Sequence, residues 1–309
     1  TGDKEKMMSD TIKRINELKK EKNAVIFAHY YCPEETQAVA DNIGDSFYLA
    51  RAAKETDADI IVFAGVRFMG ESAKILNPGK TVLMPDMKAD CPMAHMASAE
   101  RIAEVRREHP GIAVVCYVNS TAELKCASDV CVTSSNAEKI VRALPNREIY
   151  FIPDRNLGRH VAKAVPEKTF VFNDGYCPIH HGFSEEELIR LREENPRAEV
   201  MAHPESRECI LKHAGYIGST AGIIDRVEHS DADEFIIFTE KGINYALKNA
   251  APEKKFFYPG CGCECADMKL NTPEAILHVL ETGENEVILE PGTAERALAP
   301  LERMLELGK

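Results

Sequence analysis

The 309-residue chain is long enough for two or three ordinary domains and a sizeable buried core. Its hydrophobic share of 44% and charged share of 28% are globular, and its net charge of −12 is spread without a block of like charges, which argues against acidic tails and against a basic nucleic-acid-binding arm. No apolar run approaches the roughly 18 residues of a membrane span. The polar opening Thr-Gly-Asp-Lys-Glu-Lys has no signal-peptide pattern, so the expectation is a cytoplasmic protein whose ten cysteines are reduced thiols, metal ligands or small core residues.

Taken in chain order, the predicted elements form one layout three times. The first copy has a strand in AVIFAHYY (24–31), the small polar stretch GDS (44–46), strands in IIVFAG (60–65) and KTVLMPD (80–86), then CPM (91–93). A helix, SAERIAEVRREHPG (98–111), opens the second copy, which continues with AVVCYVNS (113–120), VTSSN (132–136), a helix in SSNAEKIVRALP (134–145), EIYFIPD (148–154), KTFVFND (168–174) and CPI (177–179). The third opens with SEEELIRLREENP (184–196) and runs through EVMAHPES (199–206), GST (218–220), EFIIFTE (234–240), a helix in EKGINYALKNA (240–250), KKFFYPG (254–260) and the CGCEC cluster. Ser184 and Glu187 have capping-box spacing, and Ser98 is a second N-cap candidate. A helix over 272–284 and a strand over 286–290 begin the pattern a fourth time.

Short Val/Ile/Phe/Tyr runs bounded by Gly, Pro and Asp, alternating with amphipathic helices, predict parallel sheets covered on both faces. Ser46, Ser134 and Ser219 are 88 and 85 residues apart, and Cys91, Cys177 and Cys265 are 86 and 88 apart. A period of roughly 85 residues is domain-sized. The expected fold is therefore α/β: three similar small domains, each a parallel sheet covered by helices, around a pseudo-threefold axis. The boundaries are 1–97 with an N-terminal helix, 98–183, 184–271, and a segment 272–309 packing back on the first repeat.

Parallel α/β units bind ligands beyond the carboxyl ends of their strands. Cys91, Cys177 and a third-copy cysteine would meet there as a triangle of thiolates. Spacing favours Cys265, though Cys263 would restore 86. Such a triangle fits a zinc ion with a fourth ligand or a three-cysteine [4Fe–4S] cluster. An open iron would be a Lewis acid suited to removing hydroxyl as water. His29 and Tyr31, Tyr117 and Asn119, and His203 and Glu205 stand at the first-strand ends and supply proton-transfer groups. Ser46, Ser134, Ser219 and Thr220 open helices whose N–H groups suit carboxylate or phosphate. Asp154 and Arg155 read as an ion pair or an anion contact, and His180 and His181 as neighbours of Cys177 or a solvated loop. Cys32, Cys116, Cys126, Cys131 and Cys209 read as core or spare thiols.

The ordered set AHYY with GDS, CPMA, YVNST, TSSNA, PDRNLG, CPIH, HPE, GST and CADMKLNT resembles the quinolinate synthase family over about residues 20–275. The resemblance implies three similar α/β domains with a [4Fe–4S] cluster at their junction, one cysteine from each and one iron open. It implies condensation of iminosuccinate with dihydroxyacetone phosphate to quinolinate, in NAD biosynthesis, with L-aspartate oxidase as a candidate functional partner. Carried over by motif, the cluster ligands are Cys91, Cys177 and Cys265, the last standing three residues before Met268. The catalytic candidates are His29, Tyr31, Tyr117 and Glu205. The substrate-binding candidates are His29, Ser46, Tyr117, Val118, Asn119, Ser134, His203, Pro204, Glu205, Ser219 and Thr220. CGCEC is denser in cysteine than the family's usual pattern, which leaves Cys261 and Cys263 open to pairing with another thiol. Two other readings fit the cysteines: a different [4Fe–4S] hydro-lyase, and a non-enzymatic metal or redox sensor, for which no DNA-reading helix is present.

Overall fold

The computed structural model describes residues 2–260 and 262–309, and its architecture follows the repeat. The first sheet holds β1 (Ala24–His29), β2 (Asn42–Gly44), β3 (Ile60–Ala64) and β4 (Thr81–Leu83). The second holds β5 (Ala113–Tyr117), β6 (Val130–Val132), β7 (Glu148–Ile152) and β8 (Thr169–Phe172). The third holds β9 (Glu199–Ala202), β10 (Tyr216–Ile217), β11 (Glu234–Phe238) and β12 (Lys255–Phe257). All three share one order, β2-β1-β3-β4, β6-β5-β7-β8 and β10-β9-β11-β12, and every pairing is parallel. The strands β2, β6 and β10 were not expected. They are two or three residues long, too short for a hydrophobic run, and each extends its sheet beside the central strand.

Side-chain alternation in the third sheet shows why helices cover both faces. Val200, Ala202, Ile236 and Phe238 join one apolar cluster, while Met201, Phe235 and Ile237 join another. The first two sheets share a single continuous core with the C-terminal helices. Ser98, Ser184 and Thr272 each accept a backbone N–H from three residues on, fixing the starts of the helices Ala99–Glu108, Glu185–Glu194 and Pro273–Thr282.

The C-terminal segment reaches further than its expected place on the first repeat. The helix Pro273–Thr282 packs on the N-terminal helix Gly2–Glu21 and on β3. The last helix, Thr293–Leu307, lies against Arg67–Leu76 of the first repeat and also against Ala122–Cys126, β6 and Ala137–Ala143 of the second. The stretch 286–290 is not a strand: Glu286 forms one antiparallel bridge to Leu83, Ile288 is solvent-exposed and Pro291 follows. Leu301 is fully buried in the shared core. Leu301→Ala should therefore lower unfolding free energy by about 2–5 kcal/mol, read from the denaturant midpoint at unchanged slope. No helix among the described residues is long and apolar enough to cross a membrane.

Candidate active site

The carboxyl ends of the central strands carry polar residues two apart. Only His29 and Tyr117 lie within their strands; Tyr31, Asn119, His203 and Glu205 follow in the loops just beyond. His29 and Tyr31, Tyr117 and Asn119, and His203 and Glu205 all line one pocket. Ser46, Ser134, Thr220, Cys91, Cys177 and Cys265 line it too, so each repeat contributes to its wall. The residues between the paired positions do not. Val118 lines a separate small cavity with Leu301 and Met304, and Pro204 lines an outer groove. Ser219 also faces that groove, its hydroxyl capping Gly222 N.

Tyr31 Oη stands 2.7 Å from Thr220 Oγ1 and 2.8 Å from Thr239 Oγ1. Thr239 in turn lies 2.9 Å from His180 Nε2, and His180 Nδ1 lies 2.7 Å from Glu205 Oε2. This polar chain joins a tyrosine of the first repeat to a carboxylate of the third through a histidine of the second. Close backbone approach makes it possible: a Cβ on Gly242 would stand 2.6 Å from Tyr31 Cα. Nothing in the local sequence marks Thr239, and for His180 it leaves a neighbour of Cys177 or a solvated loop. His180 is buried, with Nδ1 3.2 Å from Cys177 Sγ. Of the two readings of Asp154 and Arg155, an ion pair or an anion contact, the ion pair does not form. Asp154 is buried and accepts backbone N–H groups, while Arg155 pairs with Asp174 and lies over Tyr176.

His29 and His203 are held alike. Each Nδ1 accepts the backbone N–H two residues on, from Tyr31 at 3.1 Å and from Glu205 at 3.3 Å. The ring proton therefore sits on Nε2, and His203 Nε2 lies 3.2 Å from Ser134 Oγ. Burial lowers both histidines to about 3, keeping them neutral donors. Burial likewise raises the Tyr31 and Tyr117 phenols well above their ordinary value. For Glu205 burial pulls upward too, but His203, His180 and the Tyr117 hydroxyl outweigh it and hold the carboxyl down, at about 2. The buried Asn119 Oδ1 has no protein partner, so the pocket offers an unsatisfied amide to a ligand.

The cysteines are placed alike as well. Cys91, Cys177 and Cys265 each stand as the N-cap of a short helical turn, Pro92–His95, Pro178–Gly182 and Ala266–Lys269. Burial raises all three thiols, and neighbouring cysteine and Glu205 charges raise Cys91 and Cys177 further. Three such groups ionise together only against a bound cation. A tetrahedral zinc ion would bring its sulfurs to about 3.8 Å of one another. Among the described residues, Cys177, His180 and Glu205 form a metal-ligating group whose ligand atoms all lie within 4.8 Å of one another. Cys263 is buried in the third repeat's core with its sulfur toward Pro259 O, and Cys261 lies outside the described residues.

Three parallel α/β units that bring one cysteine each to a pocket with a buried histidine–glutamate–tyrosine chain define an α/β enzyme with candidate metal ligands at Cys177, His180 and Glu205. The chain belongs to the quinolinate synthetase A protein family, whose model matches residues 13–306. It is 47% identical to the quinolinate synthase of Clostridioides difficile (strain 630), over 98% of this chain and all of that protein. It is 48% identical to that of Sulfurihydrogenibium sp. (strain YO3AOP1), over 96% of this chain and 98% of the relative. The quinolinate synthase of Fusobacterium nucleatum is 49% identical, with 95% and 98% covered.

Proposed function

We propose that this chain condenses iminosuccinate with dihydroxyacetone phosphate to quinolinate, releasing phosphate and water, as a transferase of NAD biosynthesis. The convergence of Cys91, Cys177 and Cys265 on a pocket that also holds His29, Tyr31, Tyr117, Asn119 and Glu205 carries this reading. Three pocket cysteines, one from each repeat, suit a [4Fe–4S] cluster, which when bound supplies an open iron as Lewis acid toward a hydroxyl or carbonyl oxygen. Everything else falls to the side chains. His29 and His203, neutral with Nε2–H inward, donate to substrate oxygens, and Ser46, Ser134, Asn119 and Thr220 orient carboxylate or phosphate groups. Glu205, ionised at neutral pH, takes a proton from the carbon next to the departing oxygen. Tyr31, a neutral phenol fixed between two threonines, gives a proton to that oxygen. Tyr117 stands beside Glu205 at the pocket wall and helps to orient it. Burial excludes water, which protects the hydrolysable imine.

A reducing cytoplasm suits the nine described free thiols, and an L-aspartate oxidase acting nearby is the partner this reading names for a water-labile imine. The test is quinolinate formation by protein reconstituted without oxygen, with iminosuccinate generated in place and dihydroxyacetone phosphate added. Product that depends on both substrates is the expected result. Iron and sulfide binding without quinolinate would instead favour another hydro-lyase.

A further inference from the structure

All three pocket cysteines give their backbone N–H to a carboxylate. Cys91 N donates to Asp90 Oδ1 at 2.8 Å, Cys177 N to Asp154 Oδ2 at 3.2 Å, and Cys265 N to Glu240 Oε1 at 2.9 Å. Asp90 is partly exposed and also holds His95. The other two are buried, Asp154 at 0% and Glu240 at 1% exposure. They occupy matching positions, as the last residues of EIYFIPD and EFIIFTE.

Burying a carboxylate is unfavourable unless its oxygens are fully engaged. Asp154 contacts no cation among the described residues. Its other oxygen accepts Leu157 N at 2.8 Å. Glu240 accepts Gly242 N at 2.6 Å and Lys269 Nζ at 2.9 Å, and Lys269 also donates to Tyr31 O at 2.7 Å. A helix start alone does not need a buried carboxylate; Ser98, Ser184 and Thr272 cap their helices with hydroxyls. What Asp154 and Glu240 share is the amide of a pocket cysteine.

We propose that Asp154 and Glu240 are positioning residues that seat Cys177 and Cys265. Each carboxylate fixes the cysteine's peptide plane and so aims its sulfur into the pocket before any metal arrives. Asparagine or glutamine has a single acceptor oxygen where the carboxylate uses both, so even these near-isosteres lose one of the bonds. The inference rests on the reading of Cys177 and Cys265 as cluster ligands.

The experiment compares wild type, Asp154→Asn and Glu240→Gln after anaerobic reconstitution. It reads iron release to a ferrous chelator, with circular dichroism of the apo-proteins recorded alongside. The expected result is native dichroism with iron release about tenfold or more faster in each variant, the usual size of an outer-shell effect. Wild-type release rates in folded variants would overturn the proposal, as would faster release only in step with unfolding. If Asp154→Asn does not fold, Glu240→Gln decides the matter, because Glu240 caps no helix. Wild type that binds no iron would mean that the cluster assignment, rather than the seating role, has failed.

Discussion

Cys265→Ala should abolish both cluster retention and quinolinate formation, while Cys263→Ala should leave both in place. The two residues are separated by a single glutamate, yet the fold sends them to different environments. Cys265 caps the turn Ala266–Lys269 at the pocket wall, its amide held by Glu240. Cys263 is buried in the apolar cluster with Phe183, Leu188 and Phe238. It acts there as a small hydrophobe, so Cys263→Ala removes one buried sulfur and lowers stability modestly. Cys265→Ala takes one corner from a three-cornered site, and two thiols from two repeats cannot hold a cluster alone. Iron and sulfide content, the visible absorption of the reconstituted protein and product formation check both. A Cys263→Ala protein that lost its cluster while Cys265→Ala kept it would reverse the assignment.

The triangle was legible because its spacing repeats with the fold: a cysteine just past the last strand recurs at 86 and 88 residues. The paired strand-end residues were legible for the same reason, because a polar pair recurs at the end of the first strand of each repeat. Val118 and Pro204, sandwiched inside the motifs, line other cavities instead. Thr239 and the seating role of Glu240 were harder to see. Thr239 has meaning only through contacts to Tyr31 and His180 from two other repeats, and no local pattern reports a contact between repeats. The matched acidic ends of EIYFIPD and EFIIFTE were a visible signal for Asp154 and Glu240, but a turn-forming Asp after a strand has commoner explanations. The strands β2, β6 and β10 escaped because two or three residues cannot show a period.

Glu205→Gln should lower kcat by about 10²–10⁴-fold with the cluster retained, the range expected when a positioned general base is removed. Glutamine keeps the shape and an acceptor for His180, but it cannot take a proton. Retention of the cluster separates this from a structural defect, and the charge of Glu205 sets the pH dependence. Glu205 has a depressed folded pKa of about 2, so its charge stabilises the fold above the ordinary carboxyl range of about 4.3 and that contribution is lost as pH falls toward 2. Between about pH 5 and 8 the carboxylate is fully ionised, so the ratio of wild-type to variant kcat should stay constant across that window. Tyr31→Phe complements it. Phenylalanine leaves Thr220 and Thr239 without their shared partner and removes the proton donor, so kcat should fall while the Thr239–His180–Glu205 side of the chain persists. If base and acid act on the same bond-breaking step, the double variant should be little slower than the worse single variant, because effects within one catalytic unit are far from additive. Fully multiplicative losses would instead assign Tyr31 and Glu205 to separate steps of the reaction.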